Sequence, residues 1–216
     1  PVTIVGMGAG TTYANLGGTH ISQEDISIAR SIPNMTIIAP SDPLELKAAV
    51  DYCCKKSKSP TYLRIGKSGE HNFTKNAKEN WEFGKIRKIV PGKDICILSY
   101  GPIVKKAFKL KENLLKIKKI PSIYSCSTIK PFDSIRIKKI FKKYNIIIII
   151  EDHSVINGLS QIVKVEAYEN QYKGKIVDFS LQDKFLNNYE SQDALLDTHG
   201  LSDELIFSKT IKIIKK

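Results

Sequence analysis

The sequence has no Cys-x-x-Cys pair, no histidine at metal-ligand spacing from a cysteine, and no apolar run long enough to span a bilayer. Cys53, Cys54, Cys96 and Cys126 stand singly or adjacent inside apolar runs. That pattern excludes a zinc ribbon or dithiol redox centre and reads as buried free thiols in a reducing compartment, the cytoplasm. The run Ile146–Ile150, ended by Glu151, is far short of the roughly 20 residues a membrane helix needs and has no signal-peptide flanks, so it reads as a buried strand. Lys and Arg outnumber Asp and Glu by 34 to 22, a net charge of +12. No series of aromatic residues alternates with the lysines to make a stacking surface, so nucleic acid and membrane are not expected as partners.

What is present is an alternation of strands and helices. With 216 residues, 42% of them hydrophobic, the chain can bury one large core or two smaller ones. Apolar, β-branched runs at 2–7, 36–39, 61–65, 95–99, 122–127, 146–151 and 176–180 predict strands. Amphipathic stretches at about 23–31, from Ser41-Asp42-Pro43 onward, and at 103–118, 133–142, 158–170, 192–198 and 203–214 predict helices. Nearly continuous apolar strands between such helices imply sheets covered on both faces, hence an α/β fold in two units. Residues 66–92, rich in Gly, Asn and charge, predict a linker with some short strand between them. The first unit, with about three strands and two helices, is too small to cover its own sheet. A partner chain or further residues of the same domain would have to complete it.

The stretch "MGAGTTYANLGGTH" (7–20) carries the chemistry. Its glycines let backbone approach a ligand and adopt positive φ, and His20 follows at a strand's carboxyl end, where open α/β sheets bind ligands. There it would hydrogen-bond a substrate oxygen or move a proton; otherwise it is a loop histidine that caps or packs. Glu24 and Asp25 could form a proton relay with it, but both fall in a helix first turn, where dipole complementarity favours acids. Glu151, Asp152 and His153 pose a similar choice, and His71 and His199 carry no motif.

Taken whole, "GGTHISQEDISIARSIPNMTIIAPSDPLE" (17–45) resembles the pyrimidine-binding domain of transketolases, and "TYLRIG" (61–66) resembles the strand that follows it. "IIIIIEDHSVINGLSQIVKVEAYE" (146–169) and "THGLSDELI" (198–206) are similar to that family's C-terminal domain. The resemblance implies a partial, mainly parallel pyrimidine-binding α/β domain over 1–75, a linker over 76–92, and a complete C-terminal α/β domain over 93–216. It implies a two-carbon ketol transfer between sugar phosphates with thiamine diphosphate and magnesium. His20 would be catalytic, and Arg64 would bind the substrate phosphate, a task suited to a guanidinium fork. Glu151, Asp152 and His153 would lie remote from the reacting centre.

No Gly-Asp-Gly occurs here, so the diphosphate and metal would belong to an N-terminal subunit or domain, with no metal ligand in this chain. The cofactor-activating glutamate and its stacking aromatics are expected before Pro1. The isolated chain is therefore expected to be inactive, with homo-oligomerisation through the C-terminal domain. Leu16, Gly18 and Gly8 depart from residues common in the family, which sets the usual pentose phosphates in doubt. The alternatives are an enzyme like 1-deoxyxylulose-5-phosphate synthase or a 2-oxo acid dehydrogenase β subunit, and, from another class, a non-catalytic assembly module.

Overall fold

The computed structural model describes residues 1–74, 79–186 and 188–215. The first strand, β1 (Thr3–Met7), is followed by α1 (Asp25–Ser31), β2 (Thr36–Ile38), α2 (Pro43–Lys55) and β3 (Thr61–Ile65). Asp42 caps α2 by accepting from the Glu45 amide at 2.9 Å, with Pro43 at the first helical position, where its missing N–H costs nothing. The second unit runs β4 (Arg87–Val90), β5 (Ile95–Ser99), α3 (Val104–Lys116), β6 (Pro121–Ser125), β7 (Thr128–Lys130), α4 (Ser134–Lys143), β8 (Ile146–Ser154), α5 (Leu159–Glu169), β9 (Lys175–Leu181), α6 (Gln192–Thr198) and α7 (Asp203–Ile214).

The larger sheet has the order β4-β6-β5-β8-β9 and is parallel except for β4 at one edge. Ile147 to Ile150 are all 0% exposed because helices cover both faces. Ile147 and Ile149 pack with Leu98, Leu159 and Val163, and Ile148 and Ile150 with Ile97, Val104 and Leu114, the period-2 alternation of a central strand. Each such side chain contributes about 1.5–3 kcal/mol of burial.

The smaller sheet has the order β1-β3-β2-β7. Its first three strands are parallel, and β7 closes one edge antiparallel to β2, with Ile38 opposite Thr128. The run expected as a strand over 122–127 forms β6, and Thr128–Lys130, not expected as a strand, forms β7, with which the chain crosses to complete the smaller sheet. The stretch expected as linker also contributes β4, while positions 76–78 lie outside the described residues.

The other edge of the smaller sheet is open. Val2, Ile4, Val5 and Met7 are 66%, 52%, 54% and 68% exposed, and among the described residues no strand pairs with the outer side of β1. Among the described residues no helix is long and apolar enough to cross a membrane.

Candidate functional site

Beyond β1 the chain folds back on itself. The Gly8 and Ala9 amides donate to the Ile65 carbonyl at 3.0 and 2.8 Å, anchoring the loop to the end of β3. Gly10 then pairs with Ser22: the Ser22 amide donates to Gly10 O at 3.1 Å, and the Gly10 amide to Ser22 Oγ at 3.3 Å. Residues 10–22 therefore form a closed loop with a neck and a tip. Two short 3-10 turns, Ala14–Leu16 and Gly18–His20, build the tip. Thr19 and His20 are exposed there, and Thr19 Oγ1 lies 2.9 Å from His20 Nδ1.

The glycines of this loop let the second unit come close. A Cβ on Gly10, at φ +59°, would stand 2.3 Å from Asp152 Oδ2, and one on Gly17, at φ +78°, 2.5 Å from the Tyr189 ring. Only glycine accommodates both the positive φ and the approach. The expected approach to a ligand is at these two positions an approach to β8 and to the β9–α6 connection.

Under the neck lies a buried polar cluster. Arg64 is 1% exposed; its Nε donates to Asp25 Oδ2 at 2.7 Å, and its Nη2 to the carbonyls of Asp152 at 2.8 Å and Ser22 at 3.3 Å. Tyr62 Oη also donates to Asp25 Oδ2, at 2.8 Å. Burial alone would raise the Asp25 carboxyl, but the charge and hydrogen bonds of Arg64 and the bond from Tyr62 outweigh it and hold its pKa below the ordinary value. Burial opposes the Arg64 cation too, yet Asp25 keeps it fully charged.

Arg64, expected to bind a substrate phosphate, lies buried with its Nε and Nη2 engaged inside the protein. Asp25 stands in the first turn of α1, as expected, and its carboxylate also accepts from the Arg64 guanidinium. Glu24 occupies the cap position and makes no side-chain capping bond.

The acidic end of β8 joins the units. Asp152 accepts from the Thr11 amide and from Thr11 Oγ1, each at 3.0 Å, and burial pushes its carboxyl up despite Arg64 and Thr11. His153 Nε2 accepts from the Ser27 amide at 3.3 Å, and its Nδ1 lies 2.9 Å from Ser154 O, which fits a neutral ring with the proton on Nδ1. Glu151 caps α5 from within the core, accepting from the Leu159 and Ser160 amides at 2.7 and 3.0 Å. His199 Nδ1 accepts from the Gln182 amide at 3.1 Å, and His71 lies beside Phe73. Glu151, Asp152 and His153 are thus engaged in bonds within the protein, and His71 and His199 carry no assigned role. Sequence reasoning missed Thr11 and Gln192, whose residue types carry no signal without the fold.

Glu45 is fully buried and its carboxyl is pushed up by that burial, but it accepts from the Ser41 amide, Ser125 Oγ and Arg87 Nη1 at 2.9, 2.9 and 3.2 Å. It ties α2 to the second unit. A cavity of about 440 Å³ opens where β1 and β3 end, with Met7, Ser41, Ile65, Lys67 and Glu70 in its wall. Among the described residues no three His, Cys, Asp or Glu side chains converge as metal ligands.

Comparison with known proteins places this architecture. The family model for the transketolase pyrimidine binding domain matches residues 1–69, and that for the transketolase C-terminal domain matches residues 84–206. A protein named as a transketolase C-terminal section from Methanocaldococcus jannaschii is 32% identical over 216 residues, covering all of this chain and 67% of that one. An apulose-4-phosphate transketolase subunit from Phocaeicola vulgatus is 30% identical, over 100% of this chain and 68% of the relative. A 1-deoxy-D-xylulose-5-phosphate synthase from Dictyoglomus thermophilum is 31% identical over 92% of this chain but only 32% of the synthase. Among solved structures, a split-gene transketolase described as an inactive β4 tetramer superposes with a TM-score of 0.85 at 25% identity, covering 99% of this chain and 67% of that one. The chain belongs to the transketolase family and carries its pyrimidine-binding and C-terminal domains.

Proposed function

We propose that this chain is the C-terminal part of a thiamine-diphosphate-dependent transketolase that moves a two-carbon ketol unit between sugar phosphates. The observation that carries the reading is His20: the Thr-His pair stands exposed at the tip of a closed loop, at the carboxyl end of the smaller sheet. From there its imidazole can hydrogen-bond a substrate oxygen or exchange a proton with it.

The absence of a Gly-Asp-Gly from this sequence supports assigning the magnesium diphosphate to an N-terminal subunit or domain. One observation supports such a partner: a relative is named as one subunit of a transketolase. Assembly into oligomers is supported by the tetramer of the split-gene relative. Arg64, expected to bind a substrate phosphate, is engaged through Nε and Nη2 within the protein, where it holds the neck of the loop.

The likeness to a 1-deoxy-D-xylulose-5-phosphate synthase favours a second reading, in which pyruvate replaces the ketose donor. Co-expression with a Gly-Asp-Gly-bearing subunit, followed by product analysis with a ketose donor and with pyruvate, separates the two. Ketol transfer from the ketose is expected; product from pyruvate alone would overturn the assignment. Measurable transfer by the isolated chain would refute the need for a partner.

A further inference from the structure

The loop that carries His20 is held at its neck by residues that stay away from its tip. One side of the neck is Thr11, whose amide and hydroxyl both donate to the Asp152 carboxylate at 3.0 Å. The other side is Ser22, whose carbonyl accepts from Arg64 Nη2 at 3.3 Å. That same Nη2 donates to Asp152 O at 2.8 Å, so the two holds are one bonded unit. Gln192 Nε2 adds a bond to Thr11 Oγ1 at 3.2 Å. Thr11, Arg64 and Asp152 are 0%, 1% and 4% exposed, so water does not compete for these bonds.

We infer that Asp152 and Arg64 are positioning residues that set the place of His20, so that Asp152 of the second unit helps govern a site whose histidine belongs to the first. Beyond these bonds the loop is held by the Gly10–Ser22 pairing and by the burial of Thr12 and Ala14. Its 3-10 turns are short, its tip is exposed, and Gly10, Gly17 and Gly18 give it backbone freedom. Charge-assisted bonds to a buried carboxylate and guanidinium remove that freedom where the loop begins and ends. Displacement of a reacting group by about 1 Å costs on the order of 100-fold in rate, so a clamp distant from the tip controls turnover. The catalytic consequence rests on the transferase reading; the clamp itself does not.

The test compares Thr11→Val, which loses the hydroxyl donor, Thr11→Ser, which keeps it, and Asp152→Asn, all in the full chain. Amide hydrogen exchange over residues 11–20 is expected to rise about tenfold in Thr11→Val and Asp152→Asn and to stay near wild type in Thr11→Ser, with the β8 amides unchanged. Unchanged loop exchange in Thr11→Val, or an equal rise in β8, would overturn the clamp. Should Asp152→Asn not fold, Thr11→Val decides alone. In enzyme reassembled with a diphosphate-binding subunit, Thr11→Val is expected to lower kcat about tenfold with KM little changed; an unchanged kcat would overturn the positioning role. If reassembled wild type shows no ketol transfer, the transferase reading falls and the exchange measurement still decides the clamp.

Discussion

Arg64 Nε lies 2.7 Å from Asp25 Oδ2 beneath the His20 loop, with the two side chains 1% and 12% exposed. Removing one partner of such a pair leaves a buried charge uncompensated, which costs about 3–5 kcal/mol. Asp25→Asn is therefore expected to lower the free energy of unfolding by about that amount in a urea titration, with the m-value unchanged. The double variant Arg64→Met, Asp25→Leu removes both charges and is expected to recover part of the loss. Stability within about 0.5 kcal/mol of wild type in Asp25→Asn would show that the pair is not the keystone its burial implies.

His153 makes stability depend on pH. Burial first, and then the Arg64 cation, hold its pKa below the ordinary 6.5, with Glu151 and Asp25 pulling partly the other way. Between the folded value and about 6.5 the unfolded chain binds more protons than the native one. The contribution is thus complete above pH 6.5 and is lost as pH falls through the folded value. Protonating Nε2 would also break its bond from the Ser27 amide. Thermal melts from pH 7.5 to 5 are expected to show a falling midpoint, with a flatter profile in His153→Gln. The variant leaves a residual slope, because burial also lowers His199, and the raised Asp152 carboxyl contributes with opposite sign at more acidic pH. Identical slopes in wild type and variant would remove His153 as the cause.

Much of the fold was legible because its signals are local. The isoleucine run of β8, the Asp42-Pro43 start of α2 and the amphipathic α3 and α7 follow from periodicity and capping, and fall within a few residues of their expected limits. The departure of β7 into the smaller sheet was not legible. The expected strand over 122–127 covers β6 alone, and nothing local in Thr128–Lys130 announces that it pairs with β2 in the other sheet. The same limit applies to the site. Thr-His and its glycines are a local pattern, whereas the partners of Arg64 and Asp25 depend on which surfaces meet. Asp152 and Thr11 are separated by 141 positions, and neither residue type alone announces the other.

The open β1 edge makes a prediction about association. Ile4 and Val5 are adjacent in a strand, so they point to opposite faces, yet they are 52% and 54% exposed. Unpaired edges with exposed apolar residues recruit other strands. Ile4→Lys and Val5→Lys are expected to leave the melting temperature of the isolated chain little changed and to reduce its concentration-dependent self-association in light scattering. Association unaffected by either charge would place the self-contact elsewhere.

His20 separates stability from chemistry. Its ring is exposed, and its side-chain hydrogen bond, at 2.9 Å, is with the neighbouring Thr19 hydroxyl. His20→Ala is expected to change unfolding free energy by no more than about 0.5 kcal/mol, the usual range for an exposed position. In the reassembled enzyme the same change is expected to lower kcat/KM by roughly 100-fold or more, the scale of a lost acid, base or hydrogen bond at a reacting centre. His20→Asn distinguishes the roles: if the ring only hydrogen-bonds a substrate oxygen, the amide restores part of the rate, and if it moves a proton, the variant stays as slow as alanine. Near wild-type turnover in His20→Ala would remove the histidine from the chemistry and leave the loop as a purely structural element.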